Sequence, residues 1–151
     1  MKRADEVVAG NEDEAVVLSY FTLLMKRDLD GFAEIWQEDA VQDVPFPPEG
    51  FGKFVTSRFA GKQEIMDHYT VAFANRRDHV FWIDEIYRTS KPGHIIVEAH
   101  ARSIVGETER VYENNYVCVF SIRGGRVARL REYADPLKFM QAFGGGFDSY
   151  R

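Results

Sequence analysis

Apolar residues follow a helical spacing through much of the first half of this chain and alternate as in strands through most of the second. Asn11, with Glu14 three residues on, forms a capping box that opens a helix over about 12–27, with Val16, Val17, Tyr20, Phe21, Leu23 and Leu24 on its apolar side. Asp30 is placed to cap a second, short helix carrying Phe32, Ile35 and Trp36. A brief strand around 40–44 runs into Pro45-Phe46-Pro47-Pro48-Glu49-Gly50, which cannot be regular structure. From there to Ala60 the chain has the look of a loop rich in phenylalanine (Phe46, Phe51, Phe54, Phe59), whose rings would roof a cavity or seal a subunit contact. A third helix is expected over about 62–74, with Ile65, His68, Tyr69, Ala72 and Phe73 at helical spacing.

After Asn75-Arg76-Arg77-Asp78, four strands are expected at 79–89, 94–104, 111–122 and 126–134, joined by turns at Lys91-Pro92-Gly93, 105–110 and Gly124-Gly125. Asp135 caps a last helix with Pro136 at its first position, and that helix stops near 143 at Gly144-Gly145-Gly146. Residues 1–10 and the tail to Arg151 are expected to be mobile. Three helices followed by a long-stranded antiparallel meander define an α+β class, in one domain over 1–151 with its core at about 12–143.

Composition narrows the function. Aromatic residues make up 14% of the 151, enough to fill a core and still line a cavity. The net charge of −5 and the pI near 5.4 argue against a nucleic-acid surface. The single Cys118 leaves no internal disulfide and suits a reducing compartment, and no apolar run approaches the about 20 residues of a membrane span, so a soluble, cytoplasmic protein is expected. No CxxC pair, HExxH, phosphate loop or GxGxxG is present, and His94 and His100 are too isolated to argue for a metal.

A few residues carry candidate chemistry. Glu132 shares a strand face with Leu130 and Ala134, which makes it either a rim charge or a pocket acid. His68 lies on the apolar stripe of the third helix, as a packed histidine or as a general acid or base. Tyr20 is either a core aromatic or a donor to a developing oxyanion. Tyr112, Asn114, Tyr116, Cys118 and Phe120 share one strand face and suggest a polar-aromatic cavity wall. Glu98, His100 and Arg102 alternate with Val97, Ala99 and Ala101 in the manner of a solvated face, and Arg129 and Arg131 point away from Glu132.

Several strings resemble the nuclear-transport-factor-2-like superfamily in its SnoaL-like and ketosteroid-isomerase-like branches. They are Tyr20 followed by Trp36-Gln37-Glu38-Asp39-Ala40, then Gly61-Lys62-Gln63-Glu64-Ile65, and the Gly125-Arg126-Val127 hairpin. Arg131-Glu132-Tyr133-Ala134-Asp135-Pro136 and Tyr112-Glu113-Asn114 are similar to phenazine-biosynthesis A/B-type proteins. The resemblance implies a cone-shaped α+β barrel: a curved, mostly antiparallel sheet wrapped around helices and one deep apolar pocket, usually dimerised through the sheet. It places Tyr20 at the oxyanion-donating tyrosine of ketosteroid isomerases and their second donor at Tyr116. Their base falls on Val44, with Asp43 one residue away, and a bulge would be needed to turn Asp43 inward. His68 and Glu132 match the acid/base residues of the phenazine-type proteins, with Ala72 where a serine is expected.

Glu132, His68, Tyr20 and Asp43 are therefore the catalytic candidates, and Trp36, Phe46, Tyr69, Trp82, Asn114, Tyr116, Cys118 and Leu130 the expected substrate contacts. The function this implies is acid/base isomerisation, cyclisation, condensation or dehydration of a small cyclic or polyketide-like carbonyl compound. It needs neither cofactor nor metal, and the expected partners are a small molecule and a second copy of the chain, with no nucleic acid and no membrane. The alternative is a non-catalytic ligand-binding or dimerisation module on the same scaffold.

Overall fold

A computed structural model describes residues 1–48 and 56–144. Seven strands form one curled sheet, in the order β1 (Lys2–Arg3), β4 (Arg76–Arg88), β5 (His94–Val105), β6 (Val111–Arg123), β7 (Arg126–Ala134), β2 (Trp36–Asp43) and β3 (Arg58–Ala60). All neighbours are antiparallel except β2 and β7, and β1 and β3 remain as open edges, so the sheet does not close into a full barrel. Helices α1 (Glu12–Lys26), α2 (Leu29–Glu34) and α3 (Lys62–Ala74) pack on its inner face, and α4 (Pro136–Ala142) follows β7. The core joins the apolar stripe of α1 to alternate residues of the strands: the rings of Tyr20 and Phe120 lie 5.3 Å apart, and those of Phe21 and Phe81 5.1 Å apart. Burial alternates along β6, with Tyr112, Asn114, Tyr116, Cys118 and Phe120 inside. That is the face expected from period two.

The helix ends follow from local chemistry, with corrections to the expected caps. The Asn11 side chain accepts from the Glu14 N–H at 2.9 Å, but the Glu14 carboxylate pairs with Arg88 instead of closing the box. Arg27 ends α1 in the left-handed region at φ 57°, and Asp28, not Asp30, caps α2 by accepting from the Gly31 N–H at 2.9 Å. Ile35 and Trp36 fit a helical spacing, yet α2 stops before them. The Val127 N–H donates to the Ile35 carbonyl at 2.7 Å and draws Trp36 into the sheet as the first residue of a β2 longer than the expected 40–44.

Three further corrections concern the sheet. Residues 1–10 are not a free lead-in: Lys2 and Arg3 pair with Ile83 and Trp82, and Ala4 is buried. Within the phenylalanine-rich segment, Arg58–Ala60 pairs with β2 as a short edge strand. Phe51 and Phe54 lie outside the described residues, as does the tail beyond Gly144. Finally, β4 begins at Arg76 and carries a bulge, since Arg77 pairs with Ile104 but Val80 with Arg102, and Asp78 sits at φ 54°. The extra residue puts Arg76 and His79 on the same, inner side of the strand despite their odd separation.

The Asp28 cap has a measurable consequence. Asp28→Ala is expected to cost about 1 kcal/mol of stability. Asp30→Ala, which removes a first-turn charge but no cap, is expected to cost well under half of that. Urea midpoints of the two variants compare them directly, and equal losses would restore Asp30 as the cap.

Candidate functional site

A cavity opens between α1, α3 and the inner faces of β2, β4, β6 and β7, with α4 at its rim. It holds about 80 Å³ open to the centre of a water-sized molecule, which suits a small ligand. Tyr20 reaches it from α1, His68 and Tyr69 from α3, Gln42 from β2, Tyr116 from β6 and Glu132 from β7.

Four of these groups form a line. The Tyr69 hydroxyl donates to Gln42 Oε1 at 2.9 Å, the Tyr20 and Tyr69 hydroxyls are 2.7 Å apart, and the Tyr20 hydroxyl is 3.2 Å from Glu132 Oε2. Three contacts need three protons, and the two tyrosines supply two. The third comes from one end of the line. With Glu132 ionised, Tyr20 donates to it, Tyr69 donates to Tyr20, and Gln42 must turn its amide to donate. With Glu132 protonated, the line runs the other way and Tyr69 donates to Gln42 Oε1. Burial pushes the Glu132 carboxyl above its usual 4.5, against opposing pulls from the Tyr20 hydroxyl and the Arg76 charge. That shift is toward the neutral acid, the form in which the line runs in the second direction. Burial likewise raises Tyr20, Tyr69 and Tyr116 well above the ordinary tyrosine value, so their hydroxyls stay protonated donors.

The histidines are shifted the other way. His68 stacks on Phe59 with ring centres 4.2 Å apart and meets Tyr69 edge-on at 5.1 Å. Burial, then the Arg76 charge, lowers it to about 4. His79, between Phe73 and Phe81, is lowered to about 3 by burial and by Arg76 and Arg27. Both imidazoles are neutral at neutral pH. One cavity thus holds a carboxyl biased toward its acid form and imidazoles biased toward their base form.

Of the expected catalytic residues, Tyr20, His68 and Glu132 line this one cavity, with no direct hydrogen bond between His68 and Glu132. Asp43 does not. Its carboxylate is held by Arg58 at 2.7 Å and Arg129 at 2.8 Å, which keep it below the usual carboxylate range, and its neighbours Gln42 and Val44 face the cavity instead. The irregularity in β2 falls between Trp36 and Val41, upstream of Asp43, so it does not turn Asp43 inward.

Among the expected substrate contacts, Tyr69, Tyr116 and Phe46 line the cavity, and the Phe46 ring leans on Tyr133 at 5.6 Å. Trp36, Cys118 and Leu130 are buried in the core behind it. Asn114 is structural: it donates to the Tyr112 hydroxyl at 3.0 Å and to the Asp135 carbonyl at 2.9 Å, and its Oδ1 accepts from the Asp135 N–H. Trp82 points to the outer face of the sheet, 5.6 Å from the His100 ring, because the pleat turns it opposite to Phe81 and Ile83. Among the described residues no group of His, Cys, Asp and Glu could hold a metal ion.

Sequence reasoning missed Gln42, Arg76 and His79. Gln42 is buried beside the strand's charged positions, and its inward parity was the available signal. Arg76 lay in the 75–78 segment ahead of the expected strand, and His79 was the first residue of that strand at 79–89. The bulge that brings them to one face leaves no mark in a period-two pattern, apart from Asp78, a residue type that tolerates positive φ.

The two histidines predict an acid-limb effect. Their folded values lie below the unfolded 6.5, so the stability they contribute is full above about pH 6.5 and is lost as pH falls toward about 4 for His68 and about 3 for His79. Glu132, raised above 4.5, acts in the opposite sense and loses stability as pH rises. His79→Leu is expected to flatten the decline in urea midpoint between pH 6.5 and 4. An unchanged slope would show that His79 is not buried neutral.

Comparison with known proteins gives a consistent picture. Residues 17–130 match the SnoaL-like domain. YesE, an uncharacterised protein of Bacillus subtilis, is 32% identical over 130 residues, covering 85% of this chain and 84% of its own. An uncharacterised PhzA/B-like protein of Pseudomonas aeruginosa is 26% identical over 135 residues, 89% of this chain and 92% of its own. A crystal structure from Bacillus subtilis, provisionally described as an isomerase, superposes with a TM-score of 0.81 at 30% identity, over 91% of this chain and 98% of that one. With its curled sheet and inner helices, this chain belongs to the SnoaL-like family of nuclear-transport-factor-2-like folds.

Proposed function

We propose that this protein catalyses cofactor-independent proton transfer on a small cyclic carbonyl compound, with neutral His68 as the base and protonated Glu132 as the acid. The observation that carries this reading is the buried carboxyl hydrogen-bonded to Tyr20 in the same cavity as a neutral imidazole. His68 takes the proton from the carbon α to the carbonyl, and that C–H pair becomes the C=C of an enolate. Glu132 delivers its proton to the enolate oxygen or to a carbon further along, Tyr20 then donates to the carboxylate, and return of the proton from His68 to Glu132 through solvent resets the pair. Reprotonation at a different carbon gives isomerisation, and attack of the enolate carbon on a second carbonyl gives cyclisation. Tyr116 is a further hydroxyl at the wall, donating to the Tyr112 hydroxyl at 3.1 Å, and it would have to turn from that partner to meet a developing oxyanion.

A general acid of this kind contributes about 10²–10⁴-fold. Glu132→Gln is therefore expected to lose that much of the rate of α-proton exchange of cyclic ketones in deuterated water, read by NMR, while ligand binding survives. Tyr20→Phe is expected to lose a smaller part. Wild-type exchange rates in Glu132→Gln would remove the acid and leave the non-catalytic binding module as the reading.

The second copy expected from the family would use the outer face of the sheet. There Trp82, Ile96, His100, Val117 and Val119 lie together, and Val117 is 40% exposed. Val117→Glu is expected to turn a dimer into a monomer in light scattering, and a wild-type monomer at micromolar concentration would end the dimer reading. The lone, buried Cys118 suits a reducing compartment such as the cytoplasm.

A further inference from the structure

Arg76 is the cation of the cavity, and the acid/base reading leaves its charge unused. Its place is built with care. The bulge at Asp78 turns it inward, and Arg27, reaching across from the end of α1, donates to its carbonyl at 2.7 Å and to the Phe73 carbonyl at 2.5 Å. The guanidinium carbon lies 5.2 Å from the centres of both the Tyr112 and Phe143 rings, so the planar group is held by its faces. Face contacts satisfy none of the N–H donors along its edge. Its Nε is buried with no hydrogen-bond partner, and among the described residues no carboxylate forms an ion pair with it. Asp135, also at the cavity, turns its carboxylate to the Leu137 N–H instead.

Arg76 is half-buried, yet its Nε is shut off from solvent with no hydrogen bond, and a buried donor left unpaired is the kind of group that a ligand completes. A guanidinium edge with free parallel donors matches the two oxygens of a carboxylate. We infer that Arg76 anchors an anionic group, so that the ligand of this cavity is a small carbonyl compound carrying a carboxylate. This rests on the cavity being the substrate site. It adds to the proposed chemistry a reason for orientation: the carboxylate held at Arg76, on the β4 side, fixes the ring relative to Glu132 on β7 and His68 on α3.

The test is binding of benzoate against its neutral isostere benzamide, by calorimetry at pH 7. Wild-type protein is expected to prefer benzoate by about tenfold or more. Arg76→Gln is expected to abolish that preference while leaving benzamide affinity unchanged. Arg76→Lys, which keeps the charge and loses the fork, is expected to keep a reduced preference. Equal binding of the two probes by wild type, a preference that survives Arg76→Gln, or no benzoate binding at millimolar concentration would each overturn the assignment. If Arg76→Gln does not fold, the wild-type comparison and Arg76→Lys decide. Glu132→Gln separates this inference from the catalytic one: normal benzoate binding with undiminished proton exchange ends the acid/base reading and leaves the anion anchor standing.

Discussion

Tyr20 carries its hydroxyl into a core from which water is excluded, and an oxygen in that position must find its partners inside the protein. The ring is fixed by edge contacts to Phe21, Trp36 and Phe120, so the oxygen cannot be withdrawn without unpacking α1 from the sheet. Its partners come from distant parts of the chain: Tyr69 on α3, and through it Gln42 on β2, and Glu132 on β7. One buried hydroxyl therefore ties two helices to both strands of the only parallel pair among the described residues. The same requirement draws a carboxyl into an apolar cavity, where burial biases it toward its acid form. Packing and chemistry at this site share one cause.

The charges of the cavity are ordered by the same physics. Burial is the leading influence on Glu132, His68 and His79, and it moves each group toward its neutral form, up for the carboxyl and down for the imidazoles. Arg76 is the second influence on both histidines, and it opposes the shift at Glu132. The cavity thus holds neutral imidazoles and a carboxyl shifted toward its acid form beside the Arg76 cation. On the proposed reading, such a site would take an anion and move a proton with little reorganisation when charge develops.

Much of this was legible in the chain. Alternation along residues 111–122 identified the inner face of β6, including Tyr116. The spacing of Ile65, His68, Tyr69, Ala72 and Phe73 set α3 and its cavity side. Leu130, Glu132 and Ala134 put Glu132 on an apolar strand face beside the Asp135-Pro136 cap, as a rim charge or a pocket acid, and the paired strands set it at the cavity. Where the reading failed, a long-range hydrogen bond or a bulge had overridden a local pattern. The pairing of Ile35 with Val127 converted the end of an expected helix into β2. The pairing of Lys2 and Arg3 with β4 ordered a charged lead-in that has no pattern of its own.

The amino-acid sequence by itself determined the class of fold, the strand faces, the turns at Gly124-Gly125 and Asp135-Pro136, and the apolar faces that carry Tyr20, His68 and Glu132, because each depends on periodicity or on local backbone chemistry. Tertiary structure alone decided the rest. Asp43 is spent on Arg58 and Arg129 because the sheet brings those side chains to the same outer face. Gln42 ends the tyrosine line because β2 runs beside α3. Arg76 becomes a cavity cation because one extra residue at Asp78 reverses the pleat. A reversal of pleat costs a single residue and leaves the surrounding composition unchanged, so only the paired strands reveal it.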